Sequence, residues 1–117
     1  MSFFNNFEMT PNDKNSLNRF EKKHTPEIIV GKKDRRGFSL IEIVVGSDGV
    51  AHPTEDNHWI HLIELHSDIG KVGFIKFDQY QSSGYGAFRV RLDGVKELKA
   101  KAYCNLHGVW SSTKNLR

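Results

Sequence analysis

The chain has 117 residues, a formal net charge of +3 and a hydrophobic fraction of 38%, enough for one domain that buries a core without disulfide staples. Its single cysteine, Cys104, excludes an internal disulfide and any four-cysteine metal cage, and no apolar run approaches the roughly 20 residues of a membrane helix. The lysines and arginines are scattered, with no basic helix, finger pattern or aromatic RNA-binding motif, so no nucleic-acid partner is expected and the mild positive field suits small anions.

In chain order, residues 1–7 lack the basic start and apolar stretch of a secretory signal, and a cytoplasmic location is expected. Residues 1–20 are polar and Asn-rich, punctuated by Pro11 and Asp13, and read as a flexible arm with a short helix around residues 16–20. The remaining 21–117 read as one folded domain. From Pro26 onward, β-branched and aromatic residues arrive in short runs separated by Gly, Asp and Ser, which is an all-β pattern. Strands are predicted over 27–30 and 38–45 around a charged turn at 32–37, then over 59–65, which is apolar on both parities and reads as a well-covered central strand. Further strands are predicted over 72–77, 87–92 and 95–104. In 87–92, Arg89 and Arg91 should face water opposite Phe88, Val90 and Leu92, and in 95–104 Leu98, Ala100, Ala102 and Cys104 should share a face. About seven short strands at this spacing predict an immunoglobulin-like seven-stranded β-sandwich.

Six histidines and one cysteine call for a metal hypothesis. Cys104-Asn105-Leu106-His107-Gly108 places a thiolate and an imidazole three positions apart at a turn, where both could face one ion. A lone pair of this kind is equally the mark of an inert buried cysteine. In the segment from His52-Pro53 to His58, a Pro-led turn could return both imidazoles to one point, and His24 adds a donor just before the first strand. Two histidines fail the same test. On a strand His61 points away from His58, and His66 lies about 26 Å further along at roughly 3.3 Å per residue, so both read as packing or surface residues.

Lys23-His24-Thr25-Pro26, His52-Pro53 followed by His58 and a Trp59-Ile60/Ile63-Glu64-Leu65 strand, and Tyr103-Cys104-Asn105-Leu106-His107-Gly108-Val109-Trp110 together resemble the superoxide reductases of the neelaredoxin type. The resemblance spans residues 22–110 and implies a sandwich domain, often tetrameric. It also implies one iron ion bound equatorially by His24, His52, His58 and His107 and axially by Cys104. Desulfoferrodoxins add an amino-terminal four-cysteine iron domain that one cysteine cannot supply, so the one-iron form is expected. The implied activity is one-electron reduction of superoxide to hydrogen peroxide, with rubredoxin or another small carrier as electron donor. Lys23 matches the family lysine that attracts the substrate and organises proton delivery. Many relatives carry before that lysine a glutamate that binds ferric iron; Lys22 stands there instead, and Glu21 is one place too early to reach the metal without a shift of the chain. Backbone amides of the 105–107 turn could donate to the sulfur, and Trp59 and Trp110 could each wall the site or simply fill the core.

Three other readings remain open to the sequence. A blue-copper electron carrier would leave two histidines idle, and its axial methionine has no candidate, since Met1 and Met9 are far upstream. Structural zinc takes four ligands rather than five. An immunoglobulin-like binding module would bind no stoichiometric metal.

Overall fold

The computed structural model describes residues 8–9, 18–47, 49–81 and 83–116. The order of elements is β1 (Glu8–Met9), α1 (Arg19–His24), β2 (Pro26–Lys33), β3 (Phe38–Val45), β4 (Ile60–Ser67), β5 (Gly70–Lys76), β6 (Tyr85–Arg91), β7 (Glu97–Cys104) and β8 (Gly108–Asn115). A five-stranded sheet in the order β1-β8-β7-β4-β5 packs against a three-stranded sheet in the order β2-β3-β6. Seven strands of seven or eight residues, joined here by the two-residue β1, make the predicted sandwich. No helix among the described residues is long and apolar enough to cross a membrane.

Strand alternation builds the core. In β3, Ser39, Ile41, Ile43 and Val45 turn inward while Leu40 is exposed, and β7 contributes Leu98, Ala100, Ala102 and Cys104, all fully buried. Arg89 and Arg91 on β6 face water, as their alternation requires. The two parities of β4 have a specific cause: its pairing with β7 slips between Ile60 and Leu62, so Ile60 faces the core before the slip and Ile63 and Leu65 after it.

Several boundaries differ from the sequence reading. The helix runs to His24, across the expected end of the arm at residue 20, and most of that arm lies outside the described residues. β2 continues to Lys33, so the turn shortens to residues 34–37, and Asp34 closes it by accepting from the Arg36 and Phe38 amides at 2.9 and 3.0 Å. Val95 precedes β7, held by its amide to the Leu92 carbonyl at 3.0 Å. β8 was not anticipated as a separate strand, because Ser111, Ser112, Thr113 and Lys114 carry no apolar alternation; cross-strand pairing with β7 makes it one.

The sandwich places five chain segments at one pole. Pro26 opens β2 opposite the end of β3 at Val45, and Ile60 opens β4 opposite the end of β7 at Cys104, which itself pairs with Gly108 at the start of β8. The candidate ligands all lie in or beside these strand ends.

Candidate metal centre

The first ligand segment is a six-residue helix, too short to stand alone in water, and its stability comes from its ends. Asn18 accepts from the Glu21 amide at 2.8 Å while Glu21 Oε1 accepts from the Asn18 amide at 3.1 Å, a reciprocal cap. At the other end the Thr25 amide and hydroxyl both donate to the Glu21 carbonyl, and the Ser47 amide donates to the Lys22 carbonyl at 2.6 Å. Gly46, which donates to the Thr25 carbonyl, has φ +115°, and a Cβ there would stand 2.2 Å from the Val50 carbonyl oxygen. Helical spacing then packs Phe20 against His24, with ring centroids 4.5 Å apart and the planes tilted by 39°.

The second segment is the connection from β3 to β4. Glu55 and His58 exchange two backbone hydrogen bonds of 2.9 and 3.0 Å around Asp56-Asn57, a miniature hairpin that turns His58 back toward His52. The third is the tight turn after β7. Gly108, at φ 85°, lets β8 start immediately after it, and the His107 amide donates to Cys104 Sγ at 3.3 Å.

One ligand atom each from His24, His58, Cys104 and His107 lie within 4.8 Å of one another. His24 Nε2 faces His107 Nδ1 at 3.1 Å, and that nitrogen is 3.9 Å from Cys104 Sγ. His52 lies outside this tight set but against it, its ring centroid 4.9 Å from His24 and 4.6 Å from His58. Tautomers follow from the remaining partners. His24 Nδ1 donates to the Phe20 carbonyl at 2.8 Å and His52 Nδ1 to the Pro53 carbonyl at 2.7 Å, which leaves a lone pair on each Nε2, that of His24 against His107 Nδ1 and that of His52 without a partner. Metal-bound histidines use their second nitrogen in this way. His52 Nε2 and His58 Nε2 are buried without any hydrogen-bond partner, an unfavourable state for polar atoms unless something else coordinates them.

Electrostatics favour a neutral ligand set. Burial pushes the His52 pKa down to about 4, with the neighbouring imidazoles adding to the effect. His24 and His58 are also held below the ordinary value, first by burial, and the Lys23 ammonium contributes at both. Glu55 acts on His58 in the opposite sense. Burial pushes the Cys104 thiol up, against amide hydrogen bonds from Leu106 and His107 that favour the thiolate. A cation at this point would reverse the burial effect on sulfur, since a coordinating thiol is deprotonated. Imidazoles with a thiolate suit iron, copper or zinc.

His61 and His66 stand apart, as expected. His66 Nε2 meets Glu64 Oε1 at 3.1 Å, and His61 packs edge-on to Tyr103 at 6.0 Å. The tryptophans divide: Trp110 stacks on His24 at 5.2 Å and donates to the His107 carbonyl at 3.2 Å, whereas Trp59 donates to the Phe77 carbonyl, turned from the cluster. Two contributors escaped the sequence reading. Phe20 also meets the His107 ring at 5.0 Å, and its signal was the four-residue spacing from His24 once that segment is helical. The Asn105 side chain bonds to both residues flanking His58, a contact between remote segments that no local pattern announces.

Fold and site together define a β-sandwich protein with a histidine and cysteine cluster that could hold one metal ion. The desulfoferrodoxin family model matches residues 16–113, and the chain belongs to that family. It is 37% identical over 101 residues to a putative superoxide reductase of Methanocaldococcus jannaschii, covering 83% of this chain and 84% of that one. It is 38% identical over 92 residues to a desulfoferrodoxin of Nitratidesulfovibrio vulgaris, covering 79% of this chain and 63% of that longer one. Among solved structures, the one-iron superoxide reductase of Giardia intestinalis superposes with a TM-score of 0.67 at 29% identity, covering 81% of this chain and 99% of that one.

Proposed function

We propose that His24, His52, His58 and His107 with Cys104 hold one iron ion, and that the protein is a superoxide reductase in which Lys23 draws in the substrate. The observation that carries the ligand set is the convergence of donor atoms of His24, His58, Cys104 and His107 within 4.8 Å, with His52, whose buried Nε2 has no hydrogen-bond partner, packed against them. Family membership supports the iron and the reaction. Ferrous iron bound there supplies one electron, and superoxide with that electron and two protons becomes hydrogen peroxide.

The chain's own groups divide the remaining work. The buried thiol of Cys104 sits on the inner side, and the half-buried rings of His58 and His107 lie toward solvent, so an anion approaches over the imidazoles. Lys23, half-buried at the end of α1, is near enough to depress the pKa of both His24 and His58, and the same ammonium attracts an incoming anion. It also orders water that delivers protons. Glu21 is committed to the helix cap with Asn18, and this supports a ferric site without a protein carboxylate, its remaining position open to water or hydroxide. The Leu106 and His107 amides that donate to sulfur moderate its electron donation.

The reading extends to partners and place. A small one-electron carrier of the rubredoxin kind restores the ferrous state. Association of copies, a tetramer in this reading, is supported by Ile29, Leu40 and Tyr85, exposed apolar or aromatic residues of the three-stranded sheet. A cytoplasmic setting suits the lone reduced thiol. The iron-binding domain of this reading takes in residues 21–117 together with Phe20, whose ring packs against His24 and His107.

The test is the peroxide yield when fully reduced, iron-loaded protein consumes a known amount of superoxide. One peroxide per superoxide, with iron oxidised in step, is the expected result. Half that yield with oxygen released would make the site a dismutase, and protein that holds no iron would return the chain to the binding-module reading.

A further inference from the structure

The imidazoles of His24 and His52 are aimed by their own segments, since each Nδ1 is tied to a nearby carbonyl. His58 has no such tie at Nε2, which is buried and unpartnered. Its own backbone bonds go to Glu55, inside the same miniature hairpin, and say nothing about where that hairpin stands relative to Cys104. That relation is set elsewhere. Asn105, the residue after Cys104, accepts the Trp59 amide on Oδ1 at 2.8 Å and donates from Nδ2 to the Asn57 carbonyl at 3.2 Å. Its backbone amide donates to the Trp59 carbonyl at 3.2 Å. The three bonds grip both neighbours of His58 from the residue adjoining the thiol, and the donor and acceptor facing the amide group fix which of its ends is oxygen.

We infer that the Asn105 side chain is a positioning residue that sets His58 relative to the Cys104 sulfur, so that both meet the same ion. The inference rests on the iron-site reading above. Neither end of the amide is free to bind metal, because each is committed to the 57–59 backbone. Asn105 is itself exposed, so its loss opens no cavity in the core and its effect falls on ligand geometry.

The experiment is a chelator-competition titration of ferrous ion on the full chain, comparing wild type, Asn105→Ala, Asn105→Asp, His58→Ala and the double variant His58→Ala/Asn105→Ala. Asn105→Asp keeps an acceptor for the Trp59 amide but sets an oxygen against the Asn57 carbonyl. The expected result is a loss of affinity of about 10–100-fold in Asn105→Ala, as for outer-shell supports of metal ligands, a smaller loss in Asn105→Asp, and no further loss when Asn105→Ala is added to His58→Ala. Equal loss with and without His58 would overturn the inference in favour of a merely structural residue, as would a change below about twofold, the scatter of uncoupled sites. Amide exchange across β7 confirms that each variant is folded. If wild type itself takes up no stoichiometric iron, the site reading falls, an outcome distinct from intact wild-type binding with an indifferent Asn105.

Discussion

Two groups of histidines lie within one small sandwich and behave differently. At the pole, His24, His52, His58 and His107 crowd ring against ring, with ring centroids between 4.6 and 6.1 Å and two nitrogens left without partners. On β4, His66 is engaged by Glu64 and His61 by Tyr103, each ring served by its own strand neighbourhood. Burial alone does not separate the groups, since both His58 and His61 are half-buried. What separates them is unmet coordination: His61 and His66 each have a protein partner, whereas the pole holds two buried imidazole nitrogens that have none and that a cation would complete.

The comparison breaks most sharply at Cys104. Cys104→Ala is expected to lower the rate of superoxide reduction more than about 100-fold, beyond the range of outer-shell changes, measured on protein of known iron content. Lys23→Ala, which keeps the ligands, is expected to slow the bimolecular reaction about tenfold and to flatten its dependence on ionic strength, since steering by a charge is screened by salt. Stopped-flow rates at several salt concentrations check both.

Acid sharpens the same contrast in the metal-free protein. The folded His52 pKa is lowered from 6.5 to about 4, so between those values the unfolded chain binds a proton that the folded one refuses. Stability therefore rises with pH through this window, is complete above 6.5, and is lost as pH falls toward about 4. His24 and His58 act in the same direction. Urea titrations across the window check the slope, and His52→Gln should reduce it.

Smaller effects follow at the helix and on β4. Asn18→Ala removes one half of the reciprocal cap, with an expected cost of about 1 kcal/mol in a urea midpoint. His61→Gln and His66→Gln should leave iron content and peroxide yield unchanged and shift stability by no more than about 0.5 kcal/mol. Loss of iron in either variant would erase the distinction between the two groups.

The alternation of Leu98, Ala100, Ala102 and Cys104 was legible because a strand with one face in the core repeats every second residue. The family motifs singled out five donors without any geometry, and the pole brings four of them together with the fifth, His52, packed beside them. Other features were not legible. The face that His61 takes depends on a slip in the β4 pairing at Ile60, and His58 lies before the strand, in a hairpin closed by Glu55. β8 exists through pairing with β7, and Asn105 bridges segments more than forty positions apart.

By itself, then, the sequence determined the β pattern, the donor types and the missing glutamate at Lys22, because side-chain chemistry and strand period are local properties. Only the tertiary structure decided that Glu21 closes a helix with Asn18, and that Phe20 and Trp110 pack against the clustered imidazoles. It alone placed one asparagine between His58 and Cys104, since hydrogen bonds and ring contacts between distant segments exist only once both sheets bring their ends to the same pole.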